Sequence, residues 1–131
     1  MPETYDYALI RVVPRVEREE FINAGVIVSC PAREFLDCLV ELDEARLRSL
    51  DPAVDIDLVR RHLDTIPTIC RGGAGAGPIG HMSAKERFRW LVAPRSTIIQ
   101  ASAAHTGRCD DPVGLMEHLL ATMVRRPDGA R

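Results

Sequence analysis

The residues of this chain that could do chemistry are polar side chains placed where predicted strands begin or end. Glu20 and Asn23 precede the second predicted strand, and Arg95 and Ser96 precede the fourth. His105 follows the fourth strand. If the sheet brings these strand ends together, the five side chains form one polar cluster that could serve a small hydrolase or nuclease. The structural alternative is a network in which Asn23 caps a turn and Arg95 pairs with Glu20, because buried polar groups need partners in either case.

A second candidate is the basic segment 85–95, which carries a local charge of +3. Its basic and aromatic side chains form a candidate binding face that consists of Lys85, Arg87, Arg89 and Trp90. Arginine beside an exposed indole can hold a phosphate, a nucleobase or an acidic partner protein. The alternative is a solvated helix face with Trp90 packed under a loop.

Other chemical motifs lack the spacing that they need. The cysteines contain no Cys-x-x-Cys pair, and His105 and Cys109 have no second pair of ligands with which to hold zinc. The Gly-rich segment 71–81 follows a predicted helix and contains no Gly-Lys-Ser or Gly-Lys-Thr, so it does not match a phosphate-binding loop. A Gly-x-Ser-x-Gly nucleophile elbow is also absent from the sequence. We therefore expect no metal, no cofactor and reduced cysteines.

The composition is that of an ordinary globular domain. The chain has 131 residues, of which 46% are hydrophobic, and its formal net charge is −2. A dedicated nucleic-acid-binding protein usually has a basic excess, so we expect nucleic-acid binding to be weak. The first residues do not form a signal peptide, and no apolar run reaches the roughly 20 residues that span a bilayer. These features predict a cytoplasmic protein without membrane contact.

Apolar runs predict four strands, over residues 5–13, 25–30, 35–41 and 97–102. The second and third strands are close enough to form a hairpin through residues 31–34.

Four helices are predicted, and they begin at or just after Asp43, Asp55, Ser83 and Asp111. The second should end or kink at Pro67, because the proline ring clashes with the carbonyl group four residues earlier. We interpret residues 71–81 as a flexible loop inside one domain that spans residues 1–131. This order of elements predicts an α+β fold, with a mainly antiparallel sheet of about four strands and helices packed on one face.

Several of these segments together resemble a known family. They are Tyr-Ala-Leu-Ile-Arg-Val-Val-Pro at 7–14, Glu-Arg-Glu-Glu-Phe-Ile-Asn-Ala-Gly-Val at 17–26, Ala-Pro-Arg-Ser-Thr at 93–97, and His-Thr-Gly at 105–107. The chain resembles a small bacterial family catalogued only as domain of unknown function 3037. Because that family has no assigned activity, the resemblance transfers no catalytic residue. It implies a bacterial protein whose partner is a kinase similar to the HipA toxin family.

Two classes of function remain from the sequence. The first is a non-enzymatic accessory or protein-interaction module, which binds another protein through a sheet edge or through the face that carries Trp90. The second is a small hydrolase or nuclease that uses Glu20, Arg95 and His105. A nuclease normally holds magnesium with carboxylates at defined positions, whereas the clustered carboxylates of this chain fall on one predicted turn at 17–20. The interaction module is therefore favoured.

Overall fold

The chain forms a five-stranded antiparallel sheet whose long first strand pairs on both of its edges. The computed structural model describes residues 2–95 and 97–127. The strands are β1 (Glu3–Val12), β2 (Ile22–Cys30), β3 (Phe35–Val40), β4 (Ile99–Ala101) and β5 (His105–Cys109). Their order is β3-β2-β1-β4, and β5 also pairs with β1. The predicted α+β class and antiparallel sheet are confirmed, and β5 is an additional strand.

The outer edge of β1 is shared by β4 and β5. Between these two strands lies Ser102, which is 3% exposed. Its hydroxyl accepts from the Leu9 N–H at 2.8 Å, and its own N–H donates to the Leu9 carbonyl at 2.9 Å. Sequence analysis missed β5 because its residues, His-Thr-Gly-Arg-Cys, are mostly polar and show no apolar alternation.

Helices cover both faces of the sheet, which corrects the prediction that they pack on one face. One face carries α1 (Glu44–Leu50), α2 (Ile56–Arg71) and α3 (Ala84–Val92), whereas the other carries α4 (Pro112–Leu119) and its π-helical extension Leu120–Val124. Residues 24–30 of β2 are all buried. A strand that is apolar on both sides needs cover on both sides, and a helix layer on one face could not supply it.

The second helix does not end at Pro67, which was one of the two outcomes that the sequence predicted there, and a kink at this position stays a prediction. It runs unbroken to Arg71 as one helix. Ile66, Ile69 and Cys70, on either side of the proline, are buried in the core. Packing of this apolar stripe compensates for the backbone hydrogen bond that the proline removes.

The Gly-rich segment that we predicted to be a flexible loop contains 3-10 helical turns. It forms 3-10 turns over Ala74–His81, which meet at Gly77 with a φ of 68°. The Gly73 N–H donates to the Gly80 carbonyl at 2.9 Å, which closes the segment on itself. A Cβ atom at Gly80 would lie 1.8 Å from the Gly73 oxygen, so only glycine permits this approach.

The hydroxyl of Ser102 provides a first test of this fold. Ser102→Ala removes the acceptor of the Leu9 N–H, so we expect the free energy of unfolding to fall by about 2 kcal/mol. Urea unfolding should show this loss. Ser49→Ala is the matched control, because the Ser49 hydroxyl is exposed and donates to the Arg46 carbonyl. Equal stability changes in the two variants would contradict the role given to Ser102.

Ion pairs fasten the end of the C-terminal helix to the connection between β3 and α1. Arg126 Nε lies 2.7 Å from Asp43 Oδ2, and Arg125 Nε lies 2.7 Å from Glu41 Oε2. Asp43 also caps α1 by accepting from the Arg46 N–H at 3.1 Å. The hydrogen bond from Arg126 is the main reason why the pKa of the Asp43 carboxyl is lowered below its ordinary value. Asp43 therefore joins α1, the sheet and the C-terminal helix.

Asp43→Asn separates the ion pair from the helix cap, because asparagine caps helices as well as aspartate does. At neutral pH we expect it to lower the free energy of unfolding by about 1 kcal/mol. A carboxyl whose pKa is lowered by folding stabilises the protein above its unfolded pKa, and this contribution is lost as pH falls through the folded pKa. The gap between parent and variant should therefore close below about pH 4.

Urea titrations at pH 7 and at pH 3 make this comparison. Asp57→Asn is the control, since Asp57 is an exposed carboxylate in the first turn of α2. A gap of the same size at both pH values would show that the ion pair with Arg126 does not stabilise the fold.

Candidate functional site

Among the described residues, no hydrogen bond joins members of the predicted polar cluster to one another. Glu20 is exposed and pairs with Arg18 Nε at 2.6 Å, and this hydrogen bond lowers the pKa of the Glu20 carboxyl. Asn23 lies on β2 and donates from Nδ2 to the Met123 carbonyl at 3.0 Å, so it contacts the C-terminal helix. Ser96 lies outside the described residues.

His105 lies at a different part of the sheet from these residues. It opens β5 opposite Tyr7, and the two ring centroids are 5.2 Å apart. Arg11, by contrast, is opposite Gln100 of β4. Four residues of strand separate Tyr7 from Arg11, which is about 13 Å. The structure therefore does not bring His105 together with the side chains at the start of β4.

Arg95 follows α3 in the chain and binds the C-terminal end of that helix. Its guanidinium donates to the Leu91 carbonyl at 2.9 Å and to the Trp90 carbonyl at 2.5 Å. It also lies over the Trp90 ring, 4.3 Å from the ring centroid. The pair with Glu20 that we considered does not form, because the turn after α3 brings Arg95 to unpaired carbonyl groups at the helix terminus. Arg95 thereby holds the Trp90 ring against the helix end.

The basic face of α3 is divided between structural and exposed side chains. Arg87 turns inward and donates to the carbonyl groups of Ile69, Cys70 and Met82 at 2.9, 3.2 and 2.7 Å. It therefore caps the end of α2. Lys85 and Arg89 remain exposed, and Trp90 is 39% exposed. Of the predicted binding face, these last three side chains are accessible.

A groove that sequence analysis missed lies beside Arg11. It encloses about 440 Å³, and its lining consists of Arg11, Val13, Val16, Glu17, Glu19, Phe21, Arg95 and Gln100. A 3-10 turn at Val16–Arg18 and the left-handed Glu19, with a φ of 56°, return the chain so that Phe21 meets Arg11. The Arg11 guanidinium is 4.3 Å from the Phe21 ring centroid, and Phe21 is 42% exposed. The signal in the sequence was a charged residue within the apolar second half of β1, residues 8–12.

A smaller cleft lies on the opposite face, between α2, α3 and β4. It encloses about 160 Å³ and combines an apolar lining with polar side chains such as His62 and Thr65. Trp90 and Arg95 line this cleft, and Arg95 also lines the groove beside Arg11. Two pairs of an arginine and an aromatic ring therefore flank β4. We call them together the edge surface, defined as Arg11, Phe21, Trp90 and Arg95.

The edge surface can recognise ligands by stacking and by guanidinium hydrogen bonds.

Across residues 2–95 and 97–127, no group of His, Cys, Asp and Glu side chains has the arrangement of a metal site. Within the same part of the chain, no helix is long and apolar enough to cross a membrane.

Comparison with known proteins identifies the family of the chain. A family model described as protein of unknown function (DUF3037) matches residues 7–124. The chain belongs to this family. The DUF3037 match begins within β1 and ends at the last residue of the π-helical extension, so it contains the whole edge surface. No curated protein and no solved structure gives a significant match.

Replacing Arg95 tests its role at the helix terminus. Arg95→Ala removes hydrogen bonds to carbonyl groups and the contact with the Trp90 ring, so we expect a loss of about 2 kcal/mol in the free energy of unfolding. Glu20→Gln should leave stability unchanged, because the Glu20 pair with Arg18 is exposed. Urea unfolding of both variants beside the parent provides the measurement. Equal losses would restore the pairing of Arg95 with Glu20.

Proposed function

We propose that the protein is a non-enzymatic interaction module that binds another protein through the edge surface. The observation that carries this proposal is the pair of half-exposed aromatic rings, Phe21 and Trp90, each with a guanidinium 4.3 Å from its centroid. Tryptophan and arginine supply much of the binding energy at protein interfaces, and aromatic residues are enriched there. An edge surface that holds two such pairs suits recognition of a protein.

The Trp90–Arg95 pair is fixed before any partner binds. Arg95 is held by the carbonyl groups of Leu91 and Trp90, both part of α3. Ordering long side chains at an interface costs free energy, and a side chain already ordered in the free protein avoids most of that cost. This rigidity supports a role in binding.

Side-chain recognition is favoured over addition of a strand to a sheet edge. On β4, the Ile99 carbonyl accepts from the Thr97 hydroxyl at 2.8 Å. On β3, at the opposite edge, the Cys38 N–H donates to Asp37 Oδ1 at 2.8 Å. Because strand addition depends on main-chain groups that are still available, these contacts reduce what β3 and β4 can offer an incoming strand.

The charge of the neighbouring helix face indicates the kind of partner. Lys85 and Arg89 are exposed on α3 beside Trp90. Complementary charges guide association and favour one partner over another. The partner that we propose therefore presents an acidic surface with an apolar centre. A bacterial kinase similar to HipA, which the family resemblance implies, is the first candidate partner.

The test uses the full chain and a purified HipA-like kinase from the same organism. We expect Trp90→Ala and Phe21→Ala each to weaken binding by at least about tenfold in isothermal titration calorimetry, as for residues at the centre of an interface. Val113→Ala is the matched control, because Val113 is a 53% exposed apolar residue on α4, outside the edge surface.

Two results would contradict the proposal. Absence of binding to the parent protein would exclude the kinase as the partner. If a partner identified by affinity purification and mass spectrometry binds the Trp90→Ala and Phe21→Ala variants as tightly as the parent, the edge surface is not the interface. Urea unfolding of each variant separates loss of binding from loss of fold.

A further inference from the structure

Arg11 is a charged residue of the central strand β1, and its side chain has no polar partner among the residues that the structure describes. Its guanidinium forms no hydrogen bond and no ion pair with any residue in 2–95 or 97–127, and its contact is with the Phe21 ring. Its Nε atom is buried and has no hydrogen-bond partner in the described part of the chain. Buried polar atoms without partners are rare in native proteins, because each loses its hydrogen bonds to water without replacement.

A second unpaired atom lies directly across the strand pair. Asn23 is the register partner of Arg11, and its Oδ1 atom is also buried without a hydrogen bond in the described part of the chain. The register between β1 and β2 shifts at this point, between Ile10 and Arg11. Such irregularities redirect side chains and are frequent beside binding sites. The two unpaired atoms belong to paired residues at the register shift, and of these two residues Arg11 lines the groove.

We propose that the groove beside Arg11 takes a carboxylate from an acidic segment of the partner protein, and that Arg11 is the residue that recognises it. This inference rests on the proposed function and names the chemistry of one part of the edge surface. A guanidinium presents parallel N–H groups that match the two oxygens of a carboxylate. Stacking on Phe21 orients the guanidinium plane and leaves its charge without an anion.

The charges around the groove favour a carboxylate over a phosphate. Glu17 and Glu19 line the same groove as Arg11 and Arg95. Their negative charges repel a phosphate, which carries nearly two charges, more strongly than a carboxylate, which carries one. Arg95 already donates to carbonyl groups of α3, so Arg11 supplies the available guanidinium for one singly charged group.

The experiment titrates the 15N-labelled full chain with a peptide of six glutamates, blocked at both ends, at low salt. We expect saturable shifts at the backbone amides of Arg11, Phe21 and Gln100, and no such shifts with the matching peptide of six glutamines. Arg11→Gln should weaken binding by at least about tenfold, and Arg11→Lys should recover part of the loss because it restores charge without the planar fork. Arg61→Gln, which removes an exposed arginine of α2, should bind as the parent does.

A stability measurement distinguishes recognition from a structural role. Arg11→Met keeps an apolar side chain beside Phe21 and removes the unpaired donors, so we expect its urea midpoint to equal or exceed that of the parent. A lower midpoint would show that Arg11 supports the fold, and would overturn the proposal. Unchanged glutamate-peptide affinity in Arg11→Gln, or tighter binding of a phosphoserine peptide of equal length, would also overturn it.

The outcomes separate this inference from the proposed function. If Trp90→Ala weakens binding of the partner protein and Arg11→Gln leaves it unchanged, the interface is correct and the carboxylate site is wrong. If neither substitution affects binding, both proposals fail.

Discussion

The burial of β2 on both faces is the constraint from which the rest of the architecture follows. Its residues 24–30 are all buried, so apolar side chains project into two separate cores. Ile27 packs in the core under α1, α2 and α3, whereas Val26 and Val28 pack in the core under α4. The chain must therefore return after β5 to cover the second face. The ion pairs of Arg125 and Arg126 fasten the end of that returning segment to the connection between β3 and α1.

Apolar side chains in the sequence predicted four of the strands. The strand β5 was not predicted, because it is held by backbone pairing with β1 and has few apolar side chains. The hairpin of β2 and β3 and the helix that begins just after Ser83 formed as predicted. The helix α2 does not end at Pro67, because the tertiary packing of Ile66 and Ile69 outweighs the local backbone preference.

The candidate site was only partly predictable. The strand directions decide which residues lie near one another, and backbone carbonyl groups bind some of the arginine side chains. β2 and β4 both run antiparallel to β1, so their starts lie at one end of the sheet, whereas His105 follows β4 and lies further along β1. A count of basic residues also cannot show which guanidinium groups are available. Arg87 and Arg95 donate hydrogen bonds to carbonyl groups at helix ends, whereas Arg11 has no hydrogen-bond acceptor among the described residues. Whether a guanidinium group meets such carbonyl groups depends on the folded backbone.

The length of the segment between β4 and β5 helps to set the register of β5 against β1. Ala101 is opposite Ile10 and His105 is opposite Tyr7, so the outer strand has one more residue than β1 over this interval. A shift of the β5 register by one residue would move every side chain of β5 to the other face of the sheet. Gly107 lies opposite Tyr5, and a Cβ atom at Gly107 would lie 2.5 Å from the Tyr5 hydroxyl oxygen. After such a shift, a residue with a side chain would take the place of Gly107 opposite Tyr5. Changes in this short segment that shift the register of β5 should therefore be tolerated much less well than substitutions of its exposed alanines.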